Sequence, residues 1–429
     1  MIPDRTRGAR PWRVALLAAL VVVVGILGLL GVPWALARGG AGAAPTASQT
    51  PGCAAVRYEE CRELLTSAGK VRYALLGSGA DPRVAIFDVG GPGAAVFGAQ
   101  WPEGFSSTIA PSMPYRGLLL EEPWVGRPVP DRCEAALRAW FAHAHAGDQR
   151  STDLAGPCEL GQGHWGWTPE SYRAAIDAVE AAEEVHVDGM IGVSFGARRS
   201  RYLSGDLTWA VLANPAPREM TGQQYLAARQ DALESMLAAQ CGCTDVNSAL
   251  SQIVQQVTGS DAGGSRSVPL TAADVGAAAI ALAYQAQIPG NEYATKFWAA
   301  DPSAIGALAD SVWGRYGTDR ISPSYLAYLD EVCAAYGPWP TAPTSSGLVG
   351  STLTALHAPC AGIPLAERDT GSQLPAACVS SVTNDPIAPP AFVATWQPVT
   401  FTEIGEGSAH ANVDGVTDCL TQLLSTATG

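Results

Sequence analysis

The chain has 429 residues, which is enough for one large domain or two modest ones. Only 15% of the residues are charged, and the formal net charge is −14. Because a nucleic-acid partner requires a basic surface, this charge argues against nucleic-acid binding, and we expect no such partner.

The first 51 residues are typical of an export sequence followed by a linker. Residues 1–13 carry four arginines, and residues 14–37 consist mainly of an apolar run. A positive segment before an apolar one indicates export. The run is long enough to span a bilayer, but Ala35-Leu36-Ala37 also offers a cleavage site, so anchor and cleaved signal both remain open. Either way the rest of the chain lies outside the cytoplasm, residues 38–51 form a flexible linker, and membrane contact is expected only through the apolar segment.

A glycine-rich loop follows the second of two predicted strands, at residues 69–76 and 83–89. The loop is Gly90-Gly91-Pro92-Gly93, and it carries neither of the glycine patterns that bind nucleotides. In a serine hydrolase, a loop at this place supplies one backbone N–H of the oxyanion hole, and glycine allows the backbone to approach the substrate closely. A plain turn is the alternative. A further strand is predicted at 117–122 and a helix at 132–146.

The pattern Gly192-x-Ser194-x-Gly196 follows a predicted strand at residues 186–193. A helix precedes that strand, with Thr168 as its N-cap and Pro169 at its first position. In hydrolases this strand–turn–helix arrangement presents the serine hydroxyl on a strained, exposed backbone. A glycine-rich turn with an ordinary serine is the alternative reading. The next strand is predicted at 207–213.

From about residue 220 the pattern becomes helical, and strand-like, turn-rich sequence returns after residue 340. A block of helices between strands of a sheet would form a cap over an active site, although a separate helical domain would leave the same signal. We therefore expect two parts of one core separated by a cap, with the boundaries 52–219, 220–340 and 341–429.

A serine nucleophile needs a base, and the base needs a group that orients it. Only His357 and His410 follow Ser194 in the chain. His410 lies in a loop of small residues just before a predicted final helix at 412–426, whereas His357 lies in a core-like or disulfide setting. The loop position favours His410 as the base.

The orienting acid should end the strand before that loop. Asp385 follows a Val-containing run and precedes Pro386, which stops the strand and exposes the carboxylate in a turn. A turn residue without a catalytic role is the alternative. Asp369 and Asp414 are rival acids, but neither ends a predicted strand.

Ten cysteines all lie beyond the apolar run, and their even number suits an oxidising compartment. Cys241 and Cys243 are too close in sequence for a usual zinc pair, and no pair of histidines follows them, so we expect no metal and no cofactor. Sequence alone leaves the pairing open. Cys133 and Cys158 are the best candidates for one bond because they bracket a single helix and loop.

These motifs resemble those of secreted tripeptidyl aminopeptidase-like serine peptidases of the α/β-hydrolase superfamily, which are relatives of the prolyl aminopeptidases. The resemblance covers roughly residues 69–424. It rests on the glycine loop at 90–93, the serine motif at 192–196 and Asp385-Pro-Ile-Ala-Pro-Pro390, and it is supported by Cys333 before Trp339-Pro340 and by a late cysteine, Cys419.

The resemblance implies an α/β-hydrolase fold, with a mostly parallel sheet, flanking helices and an inserted helical cap. It also implies Ser194 as nucleophile, Asp385 as orienting acid and His410 as base, with backbone N–H groups of Phe195 and Gly91 as oxyanion donors.

Three places depart from the pattern of that family. Glu121-Glu122-Pro-Trp-Val-Gly126 stands where the family has Asp-x-Arg-Gly-x-Gly, Ala409-His410-Ala411 replaces Gly-His-Gly, and Ala213-Asn214 replaces Asp-Gly. The three triad positions are unaffected by these changes.

The sequence therefore predicts an exported serine hydrolase, with peptides as substrates and an aminopeptidase activity that releases short peptides through an acyl-enzyme. An exopeptidase must bind the free ammonium group of its substrate, and Glu292 is one candidate among the acids of the cap. An esterase or lipase on the same fold is one alternative. A catalytically inactive cell-surface binding protein is another.

Overall fold

The computed structural model describes residue 53 and most of residues 60–427. The gaps are 78, 94, 98–101, 103–104, 106–108, 126, 149–152, 204, 263–267, 286–291, 317–319, 341–345, 366–373, 408–409 and 411–412. The predicted cytoplasmic segment, apolar segment and linker lie outside the described residues. Among the helices of the described part, none is both long enough and apolar enough to cross a membrane.

A mostly parallel sheet of eight strands forms the centre of the molecule, in the order β1-β2-β4-β3-β5-β6-β9-β10. Strands β1 and β2 and strands β2 and β4 pair antiparallel, and the remaining neighbours pair parallel. The strands are β1 (Arg62–Thr66), β2 (Gly69–Leu76), β3 (Arg83–Asp88), β4 (Arg116–Glu121), β5 (His186–Val193), β6 (Trp209–Ala213), β9 (Ala376–Val382) and β10 (Phe401–Gly405), with a separate hairpin of β7 (Arg315–Tyr316) and β8 (Arg320–Ile321).

Helices lie between and beside these strands. Their bounds are α1 (Asp131–His145), α2 (Ala155–Cys158), α3 (Pro169–Glu183), α4 (Phe195–Arg199), α5 (Gly222–Cys241), α6 (Val246–Val257), α7 (Ala272–Gln285), α8 (Tyr293–Trp298), α9 (Pro302–Trp313), α10 (Pro323–Tyr328), α11 (Gly347–His357), α12 (Pro390–Ala394) and α13 (Val413–Ala427). The strand order, the parallel pairing and the helical connections make this an α/β-hydrolase fold, as the sequence predicts.

The strands that the sequence predicts well are those buried on both faces. Every residue of β6 is buried, and β5 is buried over most of its length, because helices cover both sides of the central sheet. The sequence reading missed β1 and β10, which lie at the two edges. Along β10, half-buried and exposed residues alternate, so it has no continuous apolar run to reveal it.

One helix on each face shows how the sheet is covered. In α3, the Thr168 side chain accepts a hydrogen bond from the Ser171 N–H, and Tyr172, Ile176 and Val179 are buried against one face. On the other face, α13 packs Val416, Leu420 and Leu423 against the sheet. Both helices begin within one residue of the predicted position, because an apolar stripe marks each of them and Thr168 caps α3.

The helical block extends beyond the predicted boundaries. Helix α11 packs on α5 and α7, so the expectation that strand-like sequence returns directly after residue 340 is wrong. Helix α1 also joins this block, because Trp140 stacks on Tyr325 with ring centroids 4.3 Å apart and donates to the Ala355 carbonyl at 3.3 Å. Both helices are apolar on the side that meets the block, and only tertiary packing decides which layer they cover.

Five disulfides link all ten cysteines. The pairs are Cys53–Cys61, Cys133–Cys158, Cys241–Cys243, Cys333–Cys360 and Cys378–Cys419. The predicted Cys133–Cys158 bond is confirmed, and it ties α1 to α2. The Cys378–Cys419 bond ties β9 to α13, so it fixes a covering helix to the sheet.

Removing the Cys133–Cys158 bond by a double change to alanine should lower the stability of the folded chain. The bond closes a loop with a sequence separation of 25 residues. In the chain-entropy model a loop of this size contributes about 3.5 kcal/mol. Removing Cys241–Cys243, whose separation is 2 residues, serves as the matched control and should cost less than half as much. Denaturant melts of both variants measure the difference, and equal losses would contradict the loop-length account.

Candidate active site

Ser194 lies in the sharp turn between β5 and α4, with φ 53° and ψ −120°. This backbone is strained for any residue with a side chain, and it raises the serine above the carboxyl end of the sheet. The two flanking glycines are required by space. A Cβ on Gly192 would lie 2.6 Å from the Ala197 nitrogen, and a Cβ on Gly196 would lie 2.4 Å from the Asp88 carbonyl oxygen. The serine motif therefore has the geometry of a nucleophile turn.

Asp385 and His410 form a buried hydrogen-bonded pair. His410 Nδ1 lies 2.6 Å from Asp385 Oδ2, and the two residues come from the loops after β9 and β10. The other carboxylate oxygen, Oδ1, accepts the backbone N–H groups of Ile387 at 2.7 Å and Ala388 at 3.0 Å. Asp385 therefore makes the backbone contacts of an ordinary turn residue and also the hydrogen bond to His410 that an orienting acid needs.

The hydrogen bonds keep Asp385 ionised despite its burial. Burial by itself raises the pKa of a carboxyl group, but the His410 ring and the two backbone N–H groups outweigh it and lower the pKa of Asp385. An ionised carboxylate only accepts hydrogen bonds, so His410 Nδ1 carries the hydrogen in this pair. Nε2 is then the ring nitrogen that can accept a proton.

Asn214, which the sequence analysis named only as a departure from the family pattern, contacts the predicted orienting acid. It is fully buried at the end of β6, and its Nδ2 donates to Asp385 Oδ2 at 2.7 Å. The preceding residue, Ala213, accepts the Ser194 N–H at 2.9 Å, so the segment after β6 contacts both the serine turn and the acid. The rule that located Asp385, a polar residue that ends a buried strand, could also have located Asn214.

The four polar residues share one edge of the sheet. Ser194, Asn214, Asp385 and His410 follow β5, β6, β9 and β10 respectively, and these four strands are consecutive and parallel. Because parallel strands end at the same edge, the residues that follow them gather there. Hydrogen bonds join His410 to Asp385, Asp385 to Asn214, and the Ala213 carbonyl beside Asn214 to the Ser194 backbone.

The glycine loop lies directly against the serine turn. A Cβ on Gly90 would lie 2.3 Å from the Val193 carbonyl oxygen and 2.9 Å from the nitrogens of Phe195 and Gly196. Gly90 also has φ 77°, and Gly91 has φ 114°, both in the region that favours glycine. The loop therefore brings Gly91 next to the turn that carries Phe195. The role of the Phe195 and Gly91 N–H groups as oxyanion donors stays a prediction.

His357 belongs to the core of the helical block. Its Nδ1 lies 2.8 Å from the Leu353 carbonyl oxygen and its Nε2 lies 2.7 Å from the Tyr328 hydroxyl. Burial lowers the pKa of His357 to about 4, so the ring is neutral at neutral pH. Of the rival acids, Asp414 is exposed in the first turn of α13, and Asp369 lies outside the described residues.

Glu292 lies at the surface and lines a different cavity from the one that Asp385 lines. Its side chain is 74% exposed and forms an ion pair with Lys296 at 2.8 Å. The shallow depression that it lines, about 360 Å³, is formed by residues of α8 and α9. None of Ser194, Asp385 and His410, all of which the structure describes, lines that depression.

A larger cleft of about 1320 Å³ opens between the cap and the loops after β9 and β10. On the core side it is lined by residues 383–385, 389–391 and 407, and on the cap side by residues of α5 and α8. Its acidic lining residues are Asp231 and Asp385. Of the three predicted triad residues, which are all described, only Asp385 lines the cleft, so the cleft reaches the acid end of the triad.

Comparisons with known proteins identify similar folds. No protein-family model matches the chain, and no curated protein matches it significantly. One similar solved structure is an enol-lactonase from Burkholderia xenovorans LB400, with 12% identity, a TM-score of 0.35, and an alignment that covers 86% of this chain and 100% of that chain. A second is the esterase RhEst1 from Rhodococcus sp. ECU1013, with 12% identity, a TM-score of 0.34, and an alignment that covers 86% of this chain and 99% of that chain. A third is a proline iminopeptidase from Mycobacterium smegmatis, with 12% identity, a TM-score of 0.41, and an alignment that covers 86% of this chain and 99% of that chain. At this identity they indicate no activity for this chain, and the fold assignment rests on the strand order given above.

Ser194→Ala should abolish covalent labelling by a fluorophosphonate without unfolding the chain, because the serine side chain contributes little to packing. His410→Ala and Asp385→Asn should reduce the labelling rate on the order of 10³–10⁴-fold, as expected for members of a serine triad. His357→Gln is the matched control and should leave the rate of the folded protein nearly unchanged. An essential His357 beside a dispensable His410 would overturn the assignment.

Asn214→Ala should slow the same labelling reaction by about 10–100-fold, because it removes a hydrogen bond to the ionised Asp385 that is worth roughly 1.5–3 kcal/mol. The loss should appear in the rate of reaction rather than in reagent affinity, since Asn214 contacts the acid. Labelling rates over a range of reagent concentrations separate the two. An unchanged rate in a folded variant would show that Asn214 does not support the acid.

Proposed function

We propose that this chain is an exported serine hydrolase in which Ser194, His410 and Asp385 act as the triad. The observation that carries the proposal is the buried His410–Asp385 hydrogen bond at the same sheet edge as the strained Ser194 turn. A scaffold that had lost its activity would have no need to keep an ionised aspartate, a histidine and a strained serine together. The retained pair of His410 and Asp385 and the strained Ser194 turn therefore favour an enzyme over an inactive binding protein.

In the proposed reaction, Ser194 Oγ attacks the substrate carbonyl carbon while His410 Nε2 takes its proton. Asp385 and Asn214 hold the imidazole in place. The oxyanion of the tetrahedral intermediate is stabilised by the N–H groups of Phe195 and Gly91. His410 then returns the proton to the leaving group, and a water molecule, activated by the same nitrogen, hydrolyses the acyl-enzyme.

We further propose that the substrates are short peptides with a free N-terminus. The cleft lies between the cap and the core, and a cap of this kind favours chain ends over the middle of a folded protein. An aminopeptidase needs a carboxylate for the substrate ammonium group. Asp231 of α5 lines the cleft that reaches Asp385, whereas Glu292 is paired with Lys296 outside it, so Asp231 is the better candidate.

The disulfides support the proposed location outside the cytoplasm. All ten cysteines are paired, and several of these bonds lie in the buried core, where they form part of the folded structure. Structural disulfides of this kind persist in oxidising compartments. The N-terminal apolar segment would deliver the chain there, either as an anchor or as a cleaved signal.

A chromogenic tripeptide should be cleaved when its N-terminus is free and should react at least tenfold more slowly when it is N-acetylated, because acetylation removes the charge that a carboxylate would bind. Asp231→Asn should raise KM for the free peptide and leave kcat nearly unchanged. Glu292→Gln is the matched control and should change neither constant. Equal rates on the two peptides would remove the aminopeptidase proposal, and turnover of a nitrophenyl ester alone would indicate an esterase.

A further inference from the structure

A buried group of one arginine and three carboxylates lies behind the glycine loop. We call it the Arg199 cluster, and its members are Arg199, Asp88, Glu122 and Glu331. Arg199, which is 2% exposed, donates to Glu331 at 2.9 and 2.7 Å, to Glu122 at 2.6 Å and to Asp88 at 3.1 Å. The triad does not use these residues, and no sequence motif singled out Arg199.

Two of the carboxylates hold the two ends of the glycine loop. Asp88 Oδ1 accepts the Gly90 N–H at 2.8 Å, and Glu122 Oε2 accepts the Gly93 N–H at 3.1 Å. Arg199 donates to the same Asp88 Oδ1 and to the other carboxylate oxygen of Glu122, Oε1. The loop that contains Gly91 is therefore hydrogen-bonded at one end to Asp88 and at the other to Glu122. Both carboxylates are in turn hydrogen-bonded to the guanidinium group of Arg199.

The third carboxylate and the arginine connect the loop to two other parts of the site. Arg199 ends α4, the helix that begins at Phe195, and its guanidinium lies 5.6 Å from the centre of the Phe195 ring. Glu331 comes from the cap, in the π-helical turn Leu329–Cys333 that follows α10. At the far end of the loop, a Cβ on Gly93 would lie 2.8 Å from the Ser324 carbonyl oxygen of α10. Cap, loop and serine turn thus meet at one cluster.

Building on the serine-hydrolase function, we propose that the Arg199 cluster is a positioning device that sets the Gly90–Gly93 loop against the serine turn and makes this setting depend on the seating of the cap. Glu331 is the cap's contribution. When the cap is seated, Glu331 completes the bidentate contact with Arg199, and Arg199 in turn holds Asp88 and Glu122 under the two ends of the loop. This explains the Glu121-Glu122 sequence, which departs from the family pattern, because Glu122 is the acceptor for Gly93 and Glu121 accepts the Phe97 N–H at 3.0 Å.

The charges of the cluster give the device a pH dependence. Three carboxylates face one arginine, and the Tyr172 hydroxyl donates to Asp88 at 2.8 Å. Tyr202 packs against Tyr172, and the charged groups that act on Tyr202 include Arg198 and Arg201. Burial raises the pKa of Glu122 to about 8, against the opposing effect of Arg199, and burial raises the pKa of Glu331 as well. A carboxyl group whose pKa is raised on folding stabilises the fold below its unfolded pKa, and this contribution is lost as the pH rises through about 8. Ionisation of Glu122 would leave three negative carboxylates beside one guanidinium, and their mutual repulsion should loosen the loop on the alkaline side.

Glu331→Gln tests the cap link, with Asp330→Asn as the matched control. Asp330 is the neighbouring buried carboxylate in the same turn, but it accepts the Trp165 N–H at 3.0 Å and does not contact Arg199. Glu331→Gln should lower kcat about 10–100-fold with little change in KM, as expected when a site is displaced by about an ångström. It should also speed amide hydrogen exchange in the segment 88–97. Asp330→Asn should change neither.

Glu122→Gln and Glu122→Ala test the loop link. The glutamine keeps an acceptor oxygen and removes the titrating group, so it should retain activity at pH 7 and abolish the decline above pH 8. The alanine should lose activity and speed exchange at 88–97. A purely structural cluster would instead lower the melting temperature of every variant and leave kcat per labelled active site, the pH profile and the exchange at 88–97 unchanged, which would overturn the proposal.

Hydrogen exchange separates this proposal from the proposed function. If the wild-type chain is not labelled by a fluorophosphonate, the serine-hydrolase function fails, but exchange at 88–97 in the Glu331→Gln and Asp330→Asn variants still reports whether the cluster holds the loop. Faster exchange in the first variant alone supports the positioning role without the enzyme. Equal exchange in the two variants refutes the role even in an active enzyme.

Discussion

The close approach of three backbone segments around Ser194 is the constraint on which the site depends. The turn after β5, the start of α4 and the glycine loop after β3 meet at distances that leave no room for a Cβ at Gly90, Gly192 or Gly196. The register of the sheet creates this meeting, because Asp88 at the end of β3 pairs with Gly192 at the end of β5. A side chain at any of the three positions would separate the serine from the loop that is proposed to stabilise its oxyanion.

Buried charge is the cost of this arrangement, and the fold offsets it with specific partners. Asp385 is surrounded by two backbone N–H groups, the Asn214 amide and His410, so its charge is stabilised where water is excluded. The Arg199 cluster solves a different problem, since three carboxyl groups share one guanidinium and burial raises the pKa of Glu122 among them. The first group is built to stay charged, and the second is built to hold a loop.

The cap contacts both the cleft that Asp385 lines and the Arg199 cluster. Its residues line the cleft that reaches Asp385, and its Glu331 reaches the Arg199 cluster behind the glycine loop. The same layer of helices therefore contacts both the cleft and the cluster behind the glycine loop. The disulfide Cys333–Cys360 lies within this layer. Cys333 is the last residue of the π-helical turn that carries Glu331, and the bond joins that turn to the 3₁₀ segment that follows α11.

Local sequence is enough to predict the elements with strong signals of their own and the residues that end them. Strands β2 and β5 are predicted at their observed bounds, because each is mostly apolar and ends at a glycine-containing turn. Ser194, Asp385 and His410 were singled out because a motif, a strand end and a loop before a helix each leave a local mark. The Cys133–Cys158 disulfide could also be predicted from the sequence, because only one helix and one loop separate the two cysteines.

Tertiary structure alone decided the contacts between segments that are distant in the chain. Asn214 looks like an ordinary strand end until it lies 2.7 Å from Asp385, which is 171 residues away. Arg199 and Glu331 are 132 residues apart, and neither belongs to a motif. Helices α1 and α11 carry apolar faces that suit either the sheet or the cap. The physical reason is the same in each case: burial and hydrogen bonding across the sheet edge depend on which segments the fold brings together, and local sequence does not encode that choice.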